Sequence, residues 1–284
     1  MRPKQNSNMP IRRSLVLAAA SWSALLAAPA VRAQQRRSLN DPLRWGVDST
    51  LVDSGLARAL QQGFGRDTGV VVNPIRMSAL PLLDALERGE FDAAMTNAEA
   101  AETQLDKQGL VHDRQAVALG DFVIVGPPGH GKTPDLAGIA NTQDAAAALV
   151  RIRDAALASA PGDVVFMSAG DGSGTHVVEQ ALWRAAKIAP AAPWYVNAGS
   201  TTALVAQTRS RNAYAIVERG AWAALGGKPP VVMVQGDPLL SEPIHVMRSF
   251  RINHPTDKMF TDWITGPKDR RLVASLHGYR APSA

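Results

Sequence analysis

Three short stretches of this 284-residue chain carry residue types and spacings that could do chemistry. The first is Gly126-Pro127-Pro128-Gly129-His130-Gly131-Lys132-Thr133, which has the spacing of a nucleotide-binding P-loop and follows an apolar run. A working loop of that kind wraps phosphates in backbone N–H groups and launches a helix whose N-terminus faces the anion. Here Pro127 and Pro128 remove two donors, and Pro134, Gly138 and Asn141-Thr142 interrupt any following helix. The stretch reads as a Gly/Pro-rich connection.

The second stretch is Ser168-Ala169-Gly170-Asp171-Gly172-Ser173-Gly174-Thr175-His176, placed between a strand-like and a helix-like segment. Small hydroxyl residues and glycines at a helix start leave several N–H groups open, a cradle for an anion or polar ligand. Ser, Asp and His in one loop also suggest a hydrolase, but two positions to either side of Ser173, where a nucleophile elbow has glycines, stand Asp171 and Thr175. The third stretch is Asp48-Ser49-Thr50, directly after the first strand, where parallel sheets bind ligands. Its residues are equally ordinary helix-capping chemistry.

The elements that must hold these loops follow from hydrophobic periodicity. Leu43–Val47, Val70–Val72 and Phe91–Met95 read as strands. Between them lie helices, one capped at Asp53 or Ser54 with Leu56, Leu60 and Phe64 on one face, the other capped at Ser78 and closed by Gly89. Further on, strands are expected at Phe122–Val125, Val164–Met167, Ala213–Val217 and Val231–Val234. Helices are expected at Asp144–Ala158, from about Thr175 to Lys187, and in the tail at Phe260–Trp263 and Arg271–His277. The alternation gives an α/β class, and two lobes fit better than one barrel because eight regular βα units are not found.

Residues 1–33 read as a secretory leader. Arg2, Lys4, Arg12 and Arg13 form a basic start, Ser14–Ala28 is small and apolar, and Val31-Arg32-Ala33 fits a cleavage site after Ala33. Arg12-Arg13 leaves both the general and the twin-arginine export routes open. The chain has 30 basic and 25 acidic residues; the leader holds five of the basic ones, leaving 25 of each. The balance gives no support to nucleic-acid binding. No cysteine is present, which excludes disulfides and thiolate metal sites.

Taken together the residues resemble the tungstate-binding proteins of ABC importers, a branch of the type II periplasmic binding proteins. The likeness runs from about Leu43 to Tyr279. It is carried by Asp53-Ser54-Gly55-Leu56, by Asp121-Phe122-Val123-Ile124-Val125-Gly126-Pro127, and by Gly170-Asp171 with Ser173-Gly174-Thr175-His176. Trp194-Tyr195, Ala213-Tyr214, Arg219-Gly220 and Gly236-Asp237-Pro238 continue it. The resemblance implies a two-lobed type II fold, with lobe one at 40–122 and 235–284, lobe two at 123–234, and ligand in the cleft between them. It also implies an exported periplasmic monomer that takes a small ligand, such as a tungstate- or molybdate-like oxyanion, to an inner-membrane ABC permease. No catalytic residue, metal site, cofactor or nucleic-acid partner is expected.

The expected ligand lining is Asp48, Ser49, Thr50, Arg76, Ser78, Ser168, Ser173, Gly174, Thr175 and Thr201. Three departures from the family pattern stand out. Val47-Asp48-Ser49-Thr50 replaces a threonine-rich loop, Ala169 stands where the family has an arginine, and Ser78-Ala79-Leu80-Pro81 replaces a Gly- and Thr-containing loop. The pocket thereby gains a carboxylate and loses a cation. Either Arg76 supplies the missing charge, or the ligand is neutral or cationic with Asp48 as its anchor. Two other classes fit the same residues: a sensory binding protein presenting its ligand to a receptor, and an exported hydrolase using Ser173 and His176.

Overall fold

A computed structural model describes residues 35–38, 41–129, 135–140, 142–226 and 230–282. The expected leader and the second half of the P-loop-like stretch, His130 to Thr133, lie outside the described residues. All the elements below belong to one unit, Ala33–Ala284.

The chain opens with β1 (Gln35–Arg36), β2 (Arg44–Asp48), α1 (Ser49–Asp53), α2 (Leu56–Thr68) and β3 (Asn73–Met77). Next come α3 (Ala79–Arg88), β4 (Ala93–Thr96), α4 (Glu99–Lys107) and the long β5 (Val111–Gly126). The middle holds α5 (Ala145–Ala158), β6 (Phe166–Ser168), α6 (Gly174–Ala185), β7 (Tyr195–Asn197) and α7 (Thr201–Arg211). Then follow β8 (Tyr214–Glu218), α8 (Arg219–Ala224), β9 (Val231–Val234), β10 (Ser241–Ser249) and β11 (Ile252–Asn253). The tail is α9 (Pro255–Ile264) and α10 (Pro267–Ala274).

A mixed sheet runs in the order β3-β2-β4-β10-β5-β8-β6-β7, with β9 also pairing β5. Strands β2, β3 and β4 are mutually parallel, as are β6, β7 and β8, so each half has its own parallel core. Strands β5 and β10 lie antiparallel across the middle. The sixteen residues of β5 pair with β10 at one end and with β8 and β9 at the other, so one strand serves both halves.

Each half buries apolar side chains on both faces of its sheet. In the first, Trp45, Leu60, Phe64 and Phe260 form one cluster and Leu82, Leu86, Phe91 and Met247 the other. In the second, Phe122, Phe166, Trp183 and Tyr214 face Val123, Met167, Leu204 and Val217 across the sheet. Ring pairs Trp45–Phe260 and Phe166–Trp183, centroids 4.7 and 5.0 Å apart, meet edge to face.

Some sequence expectations shift. Val70–Val72 is not a strand; Gly69 ends α2 in the left-handed conformation, φ 72°, and pairing with β2 begins only at Asn73. The helix expected from Asp53 or Ser54 is α2, whose cap position is Gly55 without a side-chain cap bond, although Ser54 Oγ accepts the Leu56 N–H at 3.3 Å; the short α1 before it, capped by Asp48, is not among the expected helices. Gly55, with φ 87°, then breaks the chain between α1 and α2. Arg76 lies inside β3, opposite Val47. Among the described residues, no helix is long and apolar enough to cross a membrane.

Candidate ligand cleft

The carboxyl ends of β2 and β6 each launch a helix, and the turn after β7 launches a third. Asp48 caps α1, Ser173 caps α6 through its hydroxyl and the His176 N–H, and Ser200 caps α7 through the Ala203 N–H. Just inside these caps sit Thr50, Thr175 and Thr201, all buried. Thr50 Oγ1 lies 3.2 Å from Thr175 Oγ1 and 3.4 Å from Thr201 Oγ1. The sequence separates these residues by 125 and 151 positions, yet the fold collects them from both halves of the sheet. Ser49 adds a buried hydroxyl without a hydrogen-bond partner.

Asp48 stands beside this cluster, fully buried. It is not the unpaired charge that the sequence suggests. One carboxylate oxygen accepts the Thr50 N–H at 2.9 Å, and the other accepts the Gly174 N–H at 3.2 Å from the opposite side of the cleft. Burial pushes its carboxyl up to about 6, against the lowering effect of the Thr50 and Gly174 bonds. Gly174 is required here by space: a Cβ would collide with the Asn97 side-chain amide.

The remaining expected residues divide. Ser173 and Gly174 join the cleft wall through the cap and the bond to Asp48. Ser173 Oγ accepts the His176 N–H at 3.4 Å, while His176 Nδ1 turns back to accept the Gly172 N–H at 3.0 Å. The two side chains are thus committed to turn geometry instead of pairing as nucleophile and base. Ser168 is buried beside Glu179 and Tyr195; burial pushes the Glu179 carboxyl up to about 7. Ser78 is half-buried and makes no side-chain cap bond, although its segment reaches across so that Leu80 N–H donates to Gly172 O at 3.1 Å.

Arg76 does not enter the threonine cluster. Its guanidinium grips Asp53 through Nε and Nη2, at 3.3 and 2.6 Å, and its side chain is 42% exposed. Ala169 is buried in an apolar cluster with Val123, Met167 and Leu204, so no cation stands there.

A second group of polar residues lies behind the cleft. Asn97 Nδ2 donates to Glu242 on β10, and Glu218 caps α8 by accepting the Gly220 N–H at 2.7 Å and the Ala221 N–H. Burial raises Glu242 well above the usual carboxylate range and Glu218 to about 7. Asp121 on β5 holds Arg219 with bonds of 2.6 to 3.0 Å. Only Asp121 and Arg219 had a local signal in the resemblance; Asn97 could have been noticed as the residue following a strand end, as Asp48 was.

This geometry, a cleft formed by strand ends and helix starts of two sheet halves that share crossing strands, is that of a two-lobed type II periplasmic binding protein. Residues 40–265 match the family described as the PBP superfamily domain, and the chain belongs to that superfamily. Its relatives include the tungstate-binding protein TupA of Peptoclostridium acidaminophilum, 28% identical over 239 residues, covering 81% of this chain and 80% of that protein. The solved structure of a tungstate ABC transporter protein from Geobacter sulfurreducens is 30% identical, with a TM-score of 0.68, covering 82% of this chain and 98% of that one. The tungstate-binding protein TupA from Desulfovibrio alaskensis G20 is 25% identical, with a TM-score of 0.64, covering 86% and 100%. The resemblance and fold class expected from sequence are borne out.

Proposed function

We propose that this protein captures a small tetrahedral oxyanion, of the tungstate and molybdate type, in the cell envelope and delivers it to an ABC permease. One observation carries the reading: Thr50, Thr175 and Thr201, from three helix starts and both sheet halves, bring their hydroxyls together in one buried cluster. A hydroxyl can donate to an anion, and three from different directions suit a tetrahedral one. Relatives described as tungstate-binding support the same ligand class. The lobes are residues 40–122 with 235–284, and 123–234, closing about the crossing strands. Capture without chemical conversion, by an exported monomer, completes the reading; the commitment of Ser173 and His176 to the helix turn supports binding over hydrolysis.

The test is calorimetric titration with tungstate, molybdate, sulfate and phosphate, on the protein and on Thr175→Val and Thr201→Val. A hydrogen bond to a charged group contributes about 1.5–3 kcal/mol, so each variant should bind at least about tenfold more weakly. Unchanged affinity in both variants would place the ligand elsewhere.

A further inference from the structure

The carboxylate of Asp48 sits where its charge opposes the ligand class just proposed, and the inference here rests on that reading. Its two oxygens take N–H groups from both sides of the cleft, on Thr50 and Gly174, and the Thr50 hydroxyl is also within hydrogen-bonding reach. The surrounding charges do nothing to neutralise it. Asp171, from the loop before α6, opposes its ionisation, and the Asp48 charge in turn helps hold Glu242, on β10, well above the usual carboxylate range. His176 on α6 is lowered by burial and turned toward Gly172, while Asp53 at the end of α1 is paired with Arg76 of β3. Among the described residues, no arginine or lysine hydrogen-bonds Asp48.

A dianion entering the threonine cluster would therefore meet a buried like charge with no compensating cation. One proton removes the conflict, whether it resides on the carboxyl or on an oxygen of the ligand. We propose that Asp48 is a specificity-determining residue that makes oxyanion capture proton-linked, the occupied cleft holding one proton shared between the Asp48 carboxylate and the bound oxyanion, drawn from solvent as a dianion binds. Before ligand binds, burial holds the Asp48 carboxyl up at about 6. Above that pH, binding must take the proton back up, so affinity falls as pH rises; below it the carboxyl is already neutral and the dependence disappears. The same contact favours ligands that carry their own proton, such as hydrogen phosphate, over sulfate.

The experiment titrates the full protein with tungstate between about pH 7 and about pH 9, in buffers of different ionisation enthalpy, where linkage of one proton predicts affinity about tenfold weaker per pH unit. The buffer dependence should report about one proton taken up per tungstate. Asp48→Asn, which keeps an acceptor for one of the two N–H groups, should bind with affinity nearly independent of pH and with proton uptake close to zero. Thermal melts of the variant show that it is folded, and the proton count of the unaltered protein stands by itself if it is not. Tungstate binding with no proton uptake would overturn the proposal and leave the oxyanion reading intact. Equal proton uptake in Asp48→Asn would also overturn it, by moving the proton to another group. If none of tungstate, molybdate, sulfate and phosphate binds at any pH, the oxyanion reading itself fails, and the proposal with it.

Discussion

The division of labour between Asp53, Arg76 and the threonines is set by exposure. Arg76 was the sequence's candidate for the cation missing at Ala169, yet its fork holds Asp53, which also accepts a bond from Thr202 Oγ1 at 3.3 Å. Moving it inward would break that pair and desolvate a guanidinium. Arg76→Ala should therefore change oxyanion affinity by less than about fivefold, since exposed pairs contribute about 0–1 kcal/mol. Calorimetric titration checks this; a loss of a hundredfold or more would show that the arginine swings into the occupied site. The charge balance of the cleft then rests on Asp48, whose carboxylate the sequence exposed as a departure from the family loop. Its bond to the Thr50 N–H follows from the capping chemistry read there, whereas the Gly174 N–H was not visible, because Gly174 is distant in sequence and meets it only through the fold.

At the scale of elements, helix caps place the proposed ligand groups. Ser200 accepts the Ala203 N–H at 3.2 Å and so fixes the first turn of α7, where Thr201 meets Thr50. Ser200→Ala should cost about 1 kcal/mol, seen as a fall of about 2–4 °C in the melting midpoint. It should also weaken tungstate binding through Thr201; an unchanged midpoint would mean that packing alone holds the turn. Much at this level was legible. The span of α5, the closing of α3 by the left-handed Gly89, and β9 all stand as read from sequence. What escaped was long-range. In β5 the first part, Val111–Asp121, mixes charged and apolar residues, and it pairs with β10, which lies far along the chain and likewise mixes the two. Strand β3 is an edge strand with exposed residues, so the apolar Val70–Val72 beside it drew the expectation instead.

Across the whole molecule, buried carboxyls set the response to pH. Burial raises Asp48 to about 6, Glu179, Glu218 and Asp257 to about 7, and Asp269 to about 8. Each is raised in the folded chain, so between its unfolded value near 4 and its folded value the native state holds more protons than the unfolded state. Stability must then fall as pH rises through that window, from about pH 4 to about pH 8. Melting midpoints should drop by several degrees between about pH 5 and about pH 8, because about 1 kcal/mol corresponds to about 2–4 °C for a domain of this size. A flat or rising profile would show that water or ligand compensates these carboxyls. Glu242→Gln, removing the buried acid held by Asn97 on the crossing strand, should flatten the fall.

The claim that joins these scales is that the threonine cluster is the oxyanion site. Its most direct test is a crystal of the protein grown with tungstate, read by anomalous scattering. The account predicts a single strong tungsten peak within hydrogen-bonding reach of Thr50, Thr175 and Thr201. A peak at a distant surface, or none in the cleft while calorimetry records binding, would contradict it.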